Sequence, residues 1–188
     1  MKNEEHKVII IEAVKVLKMG GVIAYPTEGV FGLGCDPFNE AAVNKVLNLK
    51  HRSIEKGLIL ITSKWEQVEN LIAPLDSELL AKILTKQASP TSWALPATSA
   101  VPFWIIGNHH SVLIRITEHL IAQALCDSYD RAIVSTSANV EGMMPAHTIS
   151  EVKNYFPQGI DFIVDGSVGN LKRPTIIKDA LTGKVLRG

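Results

Sequence analysis

The 188-residue chain lacks an excess of charge of either sign, since 19 Lys and Arg residues balance 19 Asp and Glu residues. Without a net positive field, the surface as a whole does not attract nucleic acid non-specifically, so binding of RNA or phosphate would need a local patch. Cysteine is scarce as well. The spacing of Cys35 and Cys126 fits neither a zinc site nor a disulfide framework.

Long apolar runs are also missing, because no stretch approaches the roughly 20 residues that cross a bilayer. The first residues are charged and polar and carry no signal-peptide pattern. With 46% hydrophobic and 20% charged residues, the composition is ordinary for a globular protein. We therefore expect a cytoplasmic protein without membrane contact, folded as a single domain over residues 1–188.

The apolar periodicity alternates between helical and strand spacing along the chain, which favours an α/β fold with a twisted mixed sheet flanked by helices. The predicted helices cover 7–19, 39–49, 65–72, 77–86, 117–129 and 148–156. The predicted strands cover 22–25, 58–61, 111–116, 132–135, 161–164, 175–178 and 184–186. Side-chain caps are expected at the helix starts, from Ser63 with Glu66, Asp76, Thr117, and Thr148 with Glu151.

The segment Gly21–Gly34, GVIAYPTEGVFGLG, is the first candidate for a site. Its strand is expected to end at Pro26, so that Thr27 and Glu28 lie at a strand end, where ligands of open α/β sheets usually bind. The glycines that follow allow a backbone to pass close to a ligand. They match neither a P-loop nor a dinucleotide fingerprint, because Cys and Asp follow Gly34 and the order of glycines differs. A turn that only reverses the chain is the alternative.

Two other polar stretches could bind an anion. Lys50 and Arg52 follow a predicted helix, where they either complement its carbonyl end or clamp a triphosphate. Ser135–Asn139 follows a strand and offers hydroxyls and an amide, either as a helix cap or as contacts for phosphate or carboxylate oxygens. His109 and His110 lie in a predicted loop and are not expected to bind a metal.

Taken together, three motifs resemble the YrdC/Sua-type family, in particular its short bacterial TsaC (RimN) branch of threonylcarbamoyl-AMP synthases. They are Y-P-T-E-x-V-F-G-L-G from Tyr25, K-x-R at Lys50 and Arg52, and S-T-S-A-N over Ser135–Asn139. The resemblance extends from about residue 8 to the end of the chain.

This resemblance implies a twisted sheet with a concave, positively charged site. It implies condensation of L-threonine, bicarbonate and ATP to threonylcarbamoyl-adenylate and pyrophosphate, with Mg²⁺ carried by ATP. The product would serve the modification of adenosine 37 in tRNA by a separate transferase complex, with transient contact to that complex and weak RNA binding as further possibilities.

The resemblance also implies roles for individual residues. Catalysis is expected of Lys50, Arg52, Ser137 and Asn139. ATP binding is expected of Lys50, Arg52, Ser135, Asn139 and Thr175. Threonine binding is expected of Tyr25, Thr27, Arg115 and Ser137. No residue is assigned to a metal.

The chain departs from the family pattern in three places and leaves other functions open. Gly29 stands where the family has Thr or Ala, Ser53 replaces Pro, and Ala88–Ser92 replaces Pro-Gly-Pro-x-Thr. The alternatives are an RNA-binding ribosome-maturation factor that uses the patch at 50–56, and a nucleotide-binding paralogue without turnover. A third, the carbamoyl-phosphate chemistry of hydrogenase-maturation proteins, is disfavoured because those chains carry additional domains.

Overall fold

The computed structural model describes residues 2–172 and 175–187. Its helices are α1 (Lys2–Lys18), α2 (Glu40–Lys50), α3 (Ser77–Leu84), α4 (Phe103–Ile106), α5 (Leu120–Tyr129) and α6 (Ile149–Tyr155). Its strands are β1 (Ile23–Pro26), β2 (Phe31–Gly34), β3 (Ile59–Thr62), β4 (Thr91–Pro96), β5 (Ser111–Ile116), β6 (Ile133–Ser137), β7 (Phe162–Ile163), β8 (Ile176–Asp179) and β9 (Val185–Arg187). Short 3-10 turns lie at Ile54–Lys56, Trp65–Gln67 and Glu69–Leu71.

The strands form one mixed sheet in the order β7-β1-β2-β6-β3-β5-β4-β8-β9. The pairs β1–β7, β3–β5 and β4–β8 are parallel, and the other neighbours are antiparallel. Parallel pairs require long crossover connections, which explains why helices alternate with strands in the sequence. The predicted α/β class with a mixed sheet and flanking helices is confirmed.

The two faces of the sheet are covered differently. On one face, α1 and α5 pack against Ile23, Tyr25, Ile61 and Ile133. The opposite face packs a larger apolar cluster that includes residues of α2, α3 and α6. Because side chains alternate along a strand, Ser135 shares the α1/α5 face with Ile133, two residues earlier on β6. The face that α1 and α5 cover is therefore apolar at Ile133 and becomes polar at Ser135.

The glycine-rich segment forms the second strand of a hairpin, which the sequence did not predict. Phe31–Gly34 pairs antiparallel with β1, and even Pro26 belongs to that ladder, opposite Phe31. A methyl group on Gly34 would lie 2.7 Å from both a ring carbon of Tyr25 and the carbonyl oxygen of Val134. Gly34 therefore makes space for the Tyr25 ring inside the core.

Two of the expected helix caps are confirmed. The Asp76 side chain accepts a hydrogen bond from the Leu79 amide at the start of α3. Thr148 and Glu151 form a reciprocal capping box at the start of α6. These caps are local in sequence, so the residues alone were sufficient to predict them.

The other two expected caps are wrong because each side chain has a more distant partner. The segment after Ser63 forms 3-10 turns rather than a helix, and the Ser63 hydroxyl donates to Asp127. Helix α5 begins only at Leu120, and the Thr117 hydroxyl donates to a carboxylate oxygen of Glu28 at 2.6 Å. Such long-range hydrogen bonds outweigh the local capping preference.

Candidate active site

Two cations, Lys50 and Arg52, lie at the C-terminus of α2. His51 ends the helix in the left-handed conformation, with φ 52° and ψ 39°, although it is not a glycine. This turn satisfies the last carbonyls of the helix, since the amides of His51 and Arg52 donate to Asn48 and Leu47. It also takes Arg52 out of the helical path, whereas Lys50 is the last residue of the helix and reaches the end of β6 through its side chain.

Lys50 is 3% exposed and is surrounded by neutral acceptors. Its Nζ donates to the carbonyl oxygens of Ser137 and Asn139, the latter at 2.9 Å, and lies 3.5 Å from the Asn139 side-chain oxygen. Burial, reinforced by the nearby charge of Arg52, lowers the pKa of Lys50 to about 8. The ammonium group is therefore held in place without a hydrogen-bonded carboxylate among its described contacts.

Arg52 lies beside Lys50 and has a donor that is not used. Its Nη2 donates to the carbonyl oxygen of Gly57 at 3.0 Å, whereas its buried Nε has no partner among the described residues. The departure at Ser53 preserves this geometry, because the Ser53 hydroxyl accepts from the Glu55 amide and caps the following 3-10 turn. A hydrogen-bonding cap thus replaces the rigid proline of the family.

The end of β6 carries Ser135 and Ser137, and the turn after it carries Asn139. Ser135 and Ser137 lie on the same face of the strand. The Asn139 side chain donates to the carbonyl oxygens of Val140 and Met143, so it fixes the turn as well as facing Lys50. The Ser135–Asn139 motif is therefore both a structural turn and a set of polar groups next to the Lys50 ammonium.

Arg115 on β5 is 6% exposed and occupies the same face of the sheet. Its Nη1 donates to the Thr175 hydroxyl at 3.1 Å and its Nη2 to the Ser135 hydroxyl at 3.4 Å. The structure thus brings Arg115, Ser135 and Thr175 together from separate parts of the chain. A planar guanidinium held by hydroxyls suits recognition of a carboxylate.

Arg187 on β9 adds a further cation that the sequence did not indicate. Its Nη2 donates to the carbonyl oxygen of Thr175 at 3.2 Å. Burial lowers the pKa of Arg187, and the like charges of Arg115 and Arg52 lower it further. Arg187 shares Thr175 with Arg115 and lines the same cavity as Gly57, the hydrogen-bond partner of Arg52, so it lies near both residues. Only the sheet pairing of β9 with β8 brings it there, so no local motif could have identified it.

Tyr25 and Thr27 lie at the edge of this site. Tyr25 is fully buried, and its hydroxyl donates to the carbonyl oxygen of Val134 at 3.2 Å. Thr27 is 5% exposed and closes the β1–β2 hairpin, since its hydroxyl donates to the carbonyl oxygen of Val30 at 2.7 Å. Tyr25 therefore supports the site from within the core, and Thr27 lies in the hairpin turn above it.

Glu28 is a buried carboxylate to which the sequence assigned no role. One oxygen lies 3.6 Å from Nη2 of Arg115, and the other accepts from the Thr117 hydroxyl at 2.6 Å and the Glu118 amide at 3.2 Å. Burial favours the neutral acid, but the charge of Arg115 and these hydrogen bonds together lower the pKa of Glu28. The position of Glu28 at a strand end was the available signal, although its partner was not predictable.

An apolar cavity of about 200 Å³ lies beside Lys56 and Arg187. Its walls include Leu58, Ile106, Leu113 and Ile177, and the charged groups at its edge include Lys56 and Arg187. Gly57, whose carbonyl oxygen accepts from Arg52, also lines the cavity.

The departures at Gly29 and Ser92 are accommodated within the site. A methyl group on Gly29 would lie 2.5 Å from the carbonyl oxygen of Leu171. The glycine therefore lets the segment 169–171 lie against the hairpin turn, where the Leu171 amide donates to Glu28. Ser92 is fully buried on β4, and its hydroxyl has no partner among the described residues.

The part of the chain that the structure describes contains no cluster of metal-ligating side chains. In the same residues, no helix is both long and apolar enough to cross a membrane.

The structure is that of an α/β protein with a mixed sheet and a candidate site that groups cations with hydroxyls. The sequence model of the Sua5/YciO/YrdC family, described as "Telomere recombination", matches residues 15–188. The chain belongs to this family, which confirms the resemblance that its motifs predicted.

Curated relatives match over nearly their whole length. A protein of Coxiella burnetii (strain RSA 493 / Nine Mile phase I) is 47% identical over 178 residues, covering 95% of this chain and 96% of the relative. A protein of Acinetobacter baylyi is 44% identical over 185 residues, covering 95% and 96%. Both are named threonylcarbamoyl-AMP synthase.

Solved structures share the fold. Sua5 of P. abyssi, complexed with L-threonine, superimposes with a TM-score of 0.88 at 28% identity. That match covers 97% of this chain and 54% of Sua5, so the chain spans about half the length of that relative. E. coli YciO has a TM-score of 0.78 at 21% identity, covering 97% of this chain and 89% of YciO, and shows likeness of fold alone.

Proposed function

We propose that this protein is a threonylcarbamoyl-AMP synthase, which condenses L-threonine, bicarbonate and ATP to threonylcarbamoyl-adenylate and pyrophosphate. The observation that carries the proposal is the grouping of four cations: Lys50 is hydrogen-bonded at the end of β6 with Arg52 beside it, and Arg115 and Arg187 both donate to Thr175. Relatives of 47% and 44% identity that bear this name support it.

The threonine carboxylate binds Arg115 in this proposal. The guanidinium is preorganised by the hydroxyls of Thr175 and Ser135, and its planar fork matches a carboxylate. Thr27 in the hairpin turn and Ser137 complete the threonine pocket, and Tyr25 supports it from below. The threonine-bound structure of the P. abyssi relative supports a threonine site in this fold.

The phosphates of ATP bind Lys50 and Arg52, with Asn139, Ser135 and Thr175 as further contacts. Because Lys50 is buried and its charge is not neutralised by a hydrogen-bonded carboxylate, a polyanion gains a large interaction there. The adenine base occupies the apolar cavity beside Gly57, which places the phosphates toward Arg52. Mg²⁺ arrives with ATP, since the ion binds phosphate oxygens and needs few protein ligands.

In the reaction, the threonine amine attacks the carbon of bicarbonate, and water leaves to give the carbamate. A carbamate oxygen then attacks the α-phosphorus of ATP, the bond to the bridging oxygen breaks, and pyrophosphate leaves. The protein contributes positioning and stabilisation of the charge on the phosphoryl oxygens, for which Lys50, Arg52, Ser137 and Asn139 are placed.

The product is an acyl-adenylate, an activated carboxyl derivative that another enzyme must consume. We propose that it serves threonylcarbamoylation of adenosine 37 in tRNA by a separate transferase complex, with which contact is transient. Weak RNA binding and a cytoplasmic location stay predictions. A role as a ribosome-maturation factor would require RNA affinity without adenylate formation.

The test compares pyrophosphate release by the wild type, Lys50→Ala and Lys45→Ala, with ATP and Mg²⁺ and with or without L-threonine and bicarbonate. Lys45 is the matched control, because it lies on the same helix but pairs with Asp161 at 2.7 Å. We expect release that requires both substrates, a loss of about 10³-fold in Lys50→Ala and less than about twofold in Lys45→Ala. Mass spectrometry should detect the acyl-adenylate. Wild-type protein that binds ATP without substrate-dependent release would exclude the synthase and favour the paralogue without turnover.

A further inference from the structure

Glu28 is the only carboxylate among the buried polar residues of the described chain, and it lies next to a cation of the site. Its side chain is 9% exposed, and that of Arg115 is 8% exposed. The nearest distance between the two groups, from Oε2 to Nη2, is 3.6 Å. The pair therefore interacts by charge at a distance that is too long for a strong hydrogen bond.

The other carboxylate oxygen of Glu28, Oε1, is held by two hydrogen bonds. Oε1 accepts from the Thr117 hydroxyl and from the Glu118 amide, both just beyond the end of β5. Arg115 lies on that same strand two residues earlier, so the carboxylate is anchored to the strand that carries its partner. The Leu171 amide donates to the Glu28 carbonyl and restrains the backbone as well.

This geometry orients Arg115 without using up its donors. A bidentate ion pair would occupy an edge of the guanidinium, but here Oε2 of Glu28 has no hydrogen-bond partner among the described residues. The hydrogen bonds from Arg115 go instead to neutral hydroxyls, those of Thr175 and Ser135. A substrate carboxylate can displace such hydroxyl contacts more readily than it can displace a carboxylate.

Glu28 also offsets repulsion within the site. Arg115 and Arg187 both contact Thr175, one through the hydroxyl and the other through the carbonyl oxygen. Arg187 is exposed, so solvent screens part of the repulsion between the two guanidinium groups, and a nearby anion reduces it further. In the free protein Glu28 supplies that anion.

We propose that Glu28 is a positioning residue that orients Arg115 and thereby sets the affinity for the threonine carboxylate. This inference rests on the proposed function for the identity of the substrate. A carboxylate that only stabilised the fold would change the free energy of unfolding but would leave the threonine KM unchanged in the folded variant.

The experiment measures KM and kcat for L-threonine in Glu28→Gln, with Glu28→Asp as the conservative variant and Asp161→Asn as the control. Asp161 also pairs with a lysine and accepts from a backbone amide, but it contacts Val22 just before the start of β1, whereas Glu28 follows the end of that strand. We expect the threonine KM to rise about tenfold in Glu28→Gln, with a smaller rise in Glu28→Asp and none in Asp161→Asn. The KM for ATP should stay within about twofold of wild type, and kcat should fall less than about threefold.

A variant with a milder effect on folding keeps the proposal testable if Glu28→Gln does not fold. Thr117→Val removes the donor to Oε1 and leaves the charge in place, so we expect the threonine KM to rise about threefold. If the threonine KM is unchanged in the folded variants, or if kcat falls while that KM stays constant, the proposal is overturned.

A second readout does not depend on turnover. The Nε–H group of Arg115 should give a resolved ¹⁵N NMR signal in the wild type, because the side chain is immobilised, and this signal should shift and broaden in Glu28→Gln or Thr117→Val. An unchanged signal overturns the positioning role even if the wild type makes no adenylate. Conversely, a signal that responds in a protein without threonine turnover refutes the synthase proposal and leaves the coupling of Glu28 to Arg115 established.

Discussion

The two ends of the candidate site hold their buried cations in different ways. Lys50 is surrounded by neutral carbonyl and amide oxygens, whereas Arg115 lies beside the ionised carboxylate of Glu28. Lys50 is therefore a concentrated positive charge that is compensated mainly by dipoles. Arg115 is a positive charge that has been fixed in orientation by an anion.

This difference corresponds to what each end would bind. Triphosphate carries several negative charges spread over many oxygens, so a positive charge at Lys50 that no hydrogen-bonded carboxylate neutralises is more useful than a fixed orientation. A single amino-acid carboxylate has two oxygens in one plane, so its recognition depends on the orientation of a planar partner such as Arg115. The phosphate end should thus respond to charge and pH, and the threonine end to geometry.

Among the three changes that compare the two ends, the largest effect is expected when the geometry of the threonine end is changed and its charge is kept. Arg115→Lys keeps the cation but loses the fork that contacts Thr175 and Ser135 together. We expect kcat/KM for threonine to fall about 100-fold, while binding of ATP changes less than about threefold. Steady-state kinetics in both substrates measures the two effects.

Arg131→Lys is the matched control for this substitution, because Arg131 is exposed and follows α5 away from the site. It should leave both kinetic constants unchanged. If Arg115→Lys binds threonine as well as the wild type does, charge alone is sufficient, and the proposed contrast between the two ends is wrong.

An intermediate effect is expected at the phosphate end when the pH is raised. The pKa of Lys50 is lowered to about 8, and the ammonium is the form that binds phosphate. The free protein therefore loses this charge as the pH rises through about 8, and the Kd for ATP should rise by up to about tenfold per pH unit above it. Calorimetry with ATP alone avoids the titration of the threonine amine.

Lys50→Met separates the titration of Lys50 from other alkaline effects. This variant should bind ATP weakly at neutral pH, and its Kd should hardly depend on pH. The wild-type Kd should approach that of the variant as the pH increases. Parallel pH dependences in the two proteins would show that another group is responsible.

The lowered pKa of Lys50 also determines how the free energy of unfolding changes with pH. In the window between about pH 8 and the ordinary value near 10.4, the unfolded chain binds the Lys50 proton more tightly than the folded protein does. The contribution of Lys50 to the free energy of unfolding should therefore rise with pH in that window. Stability and ATP affinity thus change in opposite directions, because the buried charge that favours ATP binding is unfavourable for folding.

The sequence was sufficient where a feature depends on neighbouring residues. The alternation of helices and strands, the Asp76 cap and the Thr148–Glu151 box are all of this kind. It was insufficient where distant strands meet. Thr117 looked like a helix cap because its partner, Glu28, is 89 positions away in the chain.

Contacts between distant strands also limited what the sequence could predict about the site. The motifs predicted that Lys50, Arg52 and Ser135–Asn139 matter, and in the structure the Lys50 ammonium contacts Ser137 and Asn139. Arg187 and the ion pair of Glu28 were missed, because β9 and β5 meet the site only through the order of strands in the sheet. The packing of Gly34 against the ring of Tyr25 was not predictable either, because hairpin register brings the two together.

The smallest effect is expected from Glu141, an exposed carboxylate at the rim of the phosphate end. It pairs with Lys56, and this hydrogen bond, with the charges of Arg52 and Lys50, lowers the pKa of Glu141. Its negative charge opposes the approach of ATP, but solvent screens it strongly. Glu141→Gln should therefore lower the Kd for ATP about twofold at an ionic strength of about 0.05 M, and the difference should vanish at about 0.5 M.

Glu12→Gln serves as the control, because Glu12 forms an equally exposed pair with Lys15 on α1 and should have no effect on ATP binding. If Glu141→Gln weakens ATP binding instead, the Glu141–Lys56 pair must hold the two loops in the binding geometry. The phosphate end would then depend on an orienting carboxylate as the threonine end does, and the distinction between the two ends would no longer hold.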